Sequence, residues 1–138
     1  MIVGVGADVF DVRRMARELE EGGAALRESL FTPDEIADCE GTHAPAQHYA
    51  ARAAAKEAAA KALGVGLASL AAWRDAEVRR DPRGRPSLRL HGGLERAAAR
   101  LGVSALALSL SHTAELAVAV VVAESAAPGS APDAAGAR

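Results

Sequence analysis

Residues 51–66 read ARAAAKEAAAKALGVG. Alanine is the strongest helix former, and glycine is the residue that most often ends a helix. The stretch therefore predicts a helix over about 46–63, stopped by Gly64. Four charges interrupt it: Arg52, Lys56, Glu57 and Lys61. At about 100° per residue all four fall within one half of the helix surface, and Ala51, Ala55, Ala58 and Ala62 line the other half. A solvated face explains many such patterns, and Glu57 and Lys61, four apart, suit an ion pair of about 0.2–0.5 kcal/mol. Arg52 and Lys56, however, are also four apart and repel each other. Three cations around one carboxylate suit an anionic ligand better than a self-neutralising surface.

Outward from this helix, the pieces alternate in type. IVGVGADVF (2–10) predicts a strand with Val3, Val5, Ala7 and Val9 on one face and Gly4, Gly6 and Asp8 on the other. Glycines on one face let another element approach the backbone closely. DVRRMARELEEGG (11–23) predicts a helix capped near Asp11 and stopped by Gly22 and Gly23. In FTPDEIADCE (31–40), Thr32 is placed as N-cap, Pro33 at the first helical position and Glu35 three residues after the cap. GTHAP (41–45) is a loop. WRDAEVRRDPRGRPSLRLHG (73–92) predicts a hairpin with arms at about 76–80 and 87–90 around DPRGRP. GLERAAARLG (93–102) predicts a short helix closed by Gly102, and residues 103–124 two strands around a tight turn at 112–115. The class is α+β, in one domain over 1–124. The tail at 125–138 lacks bulky apolar residues and is expected to be disordered.

The bulk numbers narrow the function. The chain has 138 residues, 50% of them hydrophobic but only 3% aromatic. Its core must rely on close approach of small side chains, and an oligomer interface would add to its stability. A net charge of −2 gives no global field for nucleic acid, so none is expected as a partner. The single cysteine, Cys39, forms no disulfide within the chain, which makes a cytoplasmic location the default. Neither the apolar start nor LAVAVVVA (116–123) is long enough to cross a membrane.

Asp8 stands near a strand end on the glycine-bearing face. It either caps the following turn or joins Glu57 in holding a hard divalent cation. Two carboxylates are typical of magnesium, which keeps its other positions for water and substrate phosphates. Arg13, Arg14 and Arg17 form a basic stripe on the first helix, which is either a solvated face or a dock for an acidic protein. No phosphate loop of the G-x-x-x-x-G-K-[ST] type and no G-x-G-x-x-G is present. His43, His48 and His91 have no metal-ligand spacing and receive no role.

Taken in order, GVGADVFDVRR, FTPDE, RAAAKEAAAKALGVG, GRP and SLSHT resemble the holo-acyl-carrier-protein synthases, the small phosphopantetheinyl transferases. The resemblance runs from Met1 to about Glu124. It implies a mainly antiparallel sheet packed against a long helix and a homotrimer with sites at subunit interfaces. It also implies transfer of the 4'-phosphopantetheine arm of coenzyme A to a serine of an apo acyl carrier protein, in fatty acid or polyketide synthesis. Adenosine 3',5'-bisphosphate is the other product.

By the same resemblance, Asp8 and Glu57 match the metal-binding acids, with Mg2+ as the cation. Lys56 and Lys61 match the two lysines of K-E-A-x-x-K. Arg52, Lys56, Lys61, Gly64 and His112, with Arg85 and Pro86 of GRP, fall to coenzyme A. Arg14 matches a recurrent arginine that docks the carrier, and Arg13 and Arg17 join it by position and charge. The base that takes the serine proton is either Glu35 or a metal-activated water, the water being preferred. Ala53 departs from the bulky aromatic usual in the family after the motif arginine. Phe10 and Asp11 stand where an aliphatic residue and a glutamate are commoner. Two other readings fit the same residues, a magnesium-dependent nucleotide diphosphate hydrolase and a docking module without turnover.

Overall fold

The computed structural model describes residues 1–67 and 70–126. Strand β1 (Ile2–Asp11) leads into helix α1 (Val12–Leu30), then α2 (Pro33–Glu40) and α3 (Pro45–Ala62). A short helix α4 (Leu70–Arg74) precedes the hairpin β2 (Ala76–Arg80) and β3 (Pro86–Leu90). Helix α5 (Gly92–Arg100) and the strands β4 (Val103–His112) and β5 (Leu116–Ser125) follow. The sheet order is β1-β5-β4, antiparallel throughout, with β2 and β3 paired separately. The class is α+β, as the sequence predicts. β5 runs to Ser125, the first residue of the expected tail, and the tail from 127 onward lies outside the described residues.

The glycine face of β1 decides how the layers meet. Gly4 and Gly6 point inward, and α3 lies directly over them. A methyl group on Gly4 would overlap the carbonyl oxygen of Ala62, and one on Gly6 that of Ala58. Opposite these glycines, β5 turns Ala117, Ala119, Val121 and Ala123 inward, all fully buried. Small residues on both sides let helix and sheet backbones approach closely, which is how a chain poor in aromatics closes its core. Gly6→Ala is therefore expected to lower stability by about 1–3 kcal/mol, measured by denaturant unfolding, because backbone must move to admit the methyl. An unchanged midpoint would contradict this packing.

Two details depart from expectation. Gly23 takes φ 61 and kinks α1, but helix resumes beyond it and continues to Leu30. The first cap is as predicted: the Asp11 carboxylate accepts from the Arg14 amide at 3.0 Å. α4 is an element for which the sequence carries no strong signal. Thr32 does make the full capping box with Glu35.

α3 is also more deeply set than its charge pattern predicts. Arg52 and Lys56 are buried along with its alanines, because α2 and β2 cover the side on which they stand. Ala53 is fully buried, in the cluster that holds Phe31 and Tyr49, whose rings pack tilted at 52° with centroids 4.8 Å apart. The outward face of the sheet, by contrast, is bare. Val5 is 60% exposed and Val9 58%, beside the exposed Val3, Leu116, Val118 and Val120.

Candidate active site

The end of β1 and the second half of α3 meet at a cavity of about 470 Å3. Asp8 reaches it because strand alternation puts it on the inward face, two residues beyond Gly6. Glu57 and Lys61 reach it from one face of α3, four residues apart. The Lys61 ammonium donates to Asp8 Oδ1 at 3.0 Å and to the Ala7 carbonyl at 3.1 Å. Burial pushes the Glu57 carboxyl above its ordinary value, the Asp8 charge adds to this, and Lys61 opposes it. The two acids thus sense each other across one space, with one lysine for two negative charges. Val9, Phe10, Met15 and Trp73 give the cavity an apolar wall, and Arg14 and Glu18 a polar rim.

The donor set fits a magnesium ion: two hard carboxylates, an open cavity, and room for other oxygen ligands. Among the described residues no cluster of three or more His, Cys, Asp or Glu side chains could hold a metal, so Asp8 and Glu57 would leave coordination positions open to other oxygen ligands. A cation there and the Lys61 ammonium suit a phosphate-bearing substrate.

Lys56 and Glu35 do not join this site, and both expectations are corrected. Each is fully buried. The Lys56 ammonium donates to Glu35 Oε1 at 2.7 Å, to the Trp73 carbonyl at 2.9 Å and to the Ala76 carbonyl at 2.6 Å. Those three acceptors use all its protons. Glu35 also accepts from the amides of Thr32 and Val78, at 3.0 and 3.1 Å. Burial pulls the Lys56 ammonium below its ordinary value and Glu35 pushes back. The network extends through the Thr32 hydroxyl, which donates to Glu77 at 2.7 Å. Burial raises the Glu77 carboxyl, but bonds from Thr32, His91 and Arg79 outweigh it and bring it to about 2. These groups pin α2 and α3 to the hairpin. Neither Lys56 nor Glu35 presents an atom to a ligand.

The other expected residues are dispersed. Arg52 is buried beside His48 and Asp38, and the His48 ring meets that of His112 at the end of β4. Gly64 takes φ 69 past the end of α3, the left-handed conformation that favours glycine there. Arg85 is exposed in the hairpin turn, its amide held by Asp81 at 2.8 Å, and Pro86 opens β3. Neither Arg52, Gly64, Arg85, Pro86 nor His112 lines the cavity of Asp8 and Glu57.

On α1, Arg14 pairs with Glu18 at 2.8 Å and lies over the Phe10 ring at 5.1 Å. Arg13 is 3.7 Å from Glu115, and Arg17 is exposed. Sequence reasoning missed His48, Glu18 and Trp73. His48 and Glu18 each stand four residues from a basic residue already singled out, which was the available signal. Trp73 lies on the unpredicted α4.

A profile of the 4'-phosphopantetheinyl transferase superfamily matches residues 4–121. A holo-acyl-carrier-protein synthase of Geobacter sulfurreducens is 48% identical over 124 residues, which cover 90% of this chain and 98% of the relative. One from Methylobacterium radiotolerans is 48% identical over 120 residues, 87% of this chain and 84% of the relative. Among solved structures, the holo-acyl-carrier-protein synthase of Neisseria meningitidis superposes with TM-score 0.81 at 32% identity, covering 90% of this chain and 99% of that one. The Helicobacter pylori enzyme, in complex with coenzyme A, superposes with TM-score 0.74 at 27% identity, covering 87% and 99%. No described helix is long and apolar enough to cross a membrane. With the family profile spanning residues 4–121, relatives near half identical over most of the chain and a shared fold, the chain belongs to the 4'-phosphopantetheinyl transferase superfamily.

Proposed function

We propose that this chain is a holo-acyl-carrier-protein synthase acting in the cytoplasm. It transfers 4'-phosphopantetheine from coenzyme A to a serine of an apo acyl carrier protein. The observation that carries this is the convergence of Asp8, Glu57 and Lys61 on one cavity. The serine oxygen forms a bond to the phosphorus that bears pantetheine. The bond from that phosphorus to the bridging oxygen breaks, adenosine 3',5'-bisphosphate leaves, and the serine proton passes to water. Such transfers depend on positioning and on stabilising charge at the phosphoryl oxygens. Asp8 and Glu57 would hold Mg2+, which when bound neutralises the diphosphate. Lys61 holds Asp8 in place and supplies a positive charge at the same cavity. The apolar wall of Phe10, Met15 and Trp73 keeps bulk water from one side.

Arg52 and His112 take a phosphate of coenzyme A away from the acid pair, with Gly64, Arg85 and Pro86 as further contacts. That none of them lines the cavity of Asp8 and Glu57 within one chain supports a homotrimer, each site being completed by a neighbouring copy. The bare valine face of β1 and β5 supports the same reading, since apolar patches of this kind mark association surfaces. In the trimer the long α3 backs the sheet of its own copy.

Incubation with coenzyme A, Mg2+ and an apo acyl carrier protein tests the proposal. The carrier gains the mass of one phosphopantetheine. Consumption of coenzyme A without carrier indicates a hydrolase, and binding without mass gain a docking module. Arg13, Arg14 and Arg17 receive the acidic carrier. Arg17→Glu and Arg14→Glu are each expected to raise KM for the carrier about tenfold, about 1.4 kcal/mol, and to leave KM for coenzyme A within about twofold. Equal changes in both constants contradict the docking assignment.

A further inference from the structure

The first half of α3 gathers ionisable groups that the acid site does not use. The His48 and His112 rings meet edge to face, 5.4 Å apart at 62°. Arg52 is 1% exposed. Its Nη1 donates to the His48 carbonyl at 3.4 Å and its Nη2 lies 3.6 Å from Asp38 Oδ2. Its Nε, also buried, has no partner among the described residues. Arg80 of β2 adds its charge to the field at His48. Groups from α2, α3 and β4 therefore meet here: two imidazoles and the Arg52 guanidinium beside the half-exposed Asp38 carboxylate, with Arg80 of β2 acting on His48 through its charge.

In this setting a proton on His48 is disfavoured. Burial lowers the His48 imidazole below its ordinary value, and Arg52, His112 and Arg80 lower it further. A phosphate group entering the cluster reverses the electrostatic part of that penalty. It neutralises the arginines and offers oxygen acceptors to a ring N–H. The orphaned Arg52 Nε is itself a donor in want of an acceptor.

We propose that His48 positions His112, and that His48 takes up one proton from solvent when a phosphate group enters the cluster. This rests on the reading of Arg52 and His112 as phosphate ligands. His48 packs against the His112 ring and limits its rotation, so the two rings respond to the anion as a unit. Ligand affinity then rises as pH falls through the bound-state titration of His48, and levels off below the free-state one.

Ring resonances of His48 and His112, followed by NMR across about pH 5 to 8, test this. The spectra are recorded on the free protein and with saturating adenosine 3',5'-bisphosphate. The His48 midpoint is expected to move upward on binding, and affinity to tighten about tenfold for each unit of that move. In His48→Phe, which keeps an aromatic edge against His112, the pH dependence of affinity shrinks, and KM for coenzyme A rises more than kcat falls. A His48 midpoint unmoved at saturation overturns the inference. If neither ring responds while the carrier is still modified, the phosphate lies elsewhere, and the inference and the Arg52–His112 assignment fail but the transferase reading stands. A carrier that gains no mass under any condition removes the transferase reading itself.

Discussion

Asp8→Ala and Glu57→Ala are each expected to reduce phosphopantetheine transfer by at least about 10²-fold in kcat/KM, with folding intact. Asp8 and Glu57 face one cavity, and Lys61 is the only cation bonded to either there among the described residues. Removing one acid leaves a single carboxylate beside a lysine, a self-neutralised pair with little hold on a divalent cation. Both side chains lie at the cavity and neither anchors the core network, so thermal unfolding should stay close to that of the native protein. Chelation of Mg2+ should match the loss in either variant and add nothing to it. Asp8→Asn keeps an acceptor for Lys61 but loses the charge, and should fail as Asp8→Ala does. A rate within about tenfold of native in Asp8→Ala, with Mg2+ still required, would remove Asp8 from the metal site.

The second large effect is on stability. Lys56→Met is expected to destabilise the protein by about 3–5 kcal/mol, because it strands the buried Glu35 carboxylate. Glu35 would keep its two amide donors but lose the only charge that balances it. Glu35→Gln serves as the counterpart. It retains an acceptor for Lys56 but leaves the lysine charge unpaired, so it too lowers the unfolding midpoint in denaturant. At a temperature where the variant stays folded, kcat is expected to remain within a few-fold of native. A general base would behave in the opposite way, with turnover lost and stability unchanged. That outcome would return Glu35 to the chemistry.

The local signals of the chain were legible one by one. Thr32, Pro33 and Glu35 specify a helix start within four residues, and the structure has the full capping box there. The Gly4–Gly6–Asp8 face foretold a close approach, because an absent side chain on every second strand position can only serve something lying on that face. Gly64 ends α3 with a positive φ that few other residues accept. These features depend on neighbours in sequence, so the sequence by itself determined them. For Asp8 and Glu57 it offered two suitable residue types, and only the fold brought them to one cavity.

Only the tertiary structure decided what each charge on α3 does. Spacing places Arg52, Lys56, Glu57 and Lys61 on one half of a helix, but it does not say which arc of that half is covered. α2 and β2 close over Lys56 and Arg52, so one lysine became a core ion pair and the other stayed at the cavity. The meeting of His48 with His112 is of the same kind. These outcomes follow from contacts between segments far apart in the chain, where burial changes the cost of a charge by more than any local preference can supply.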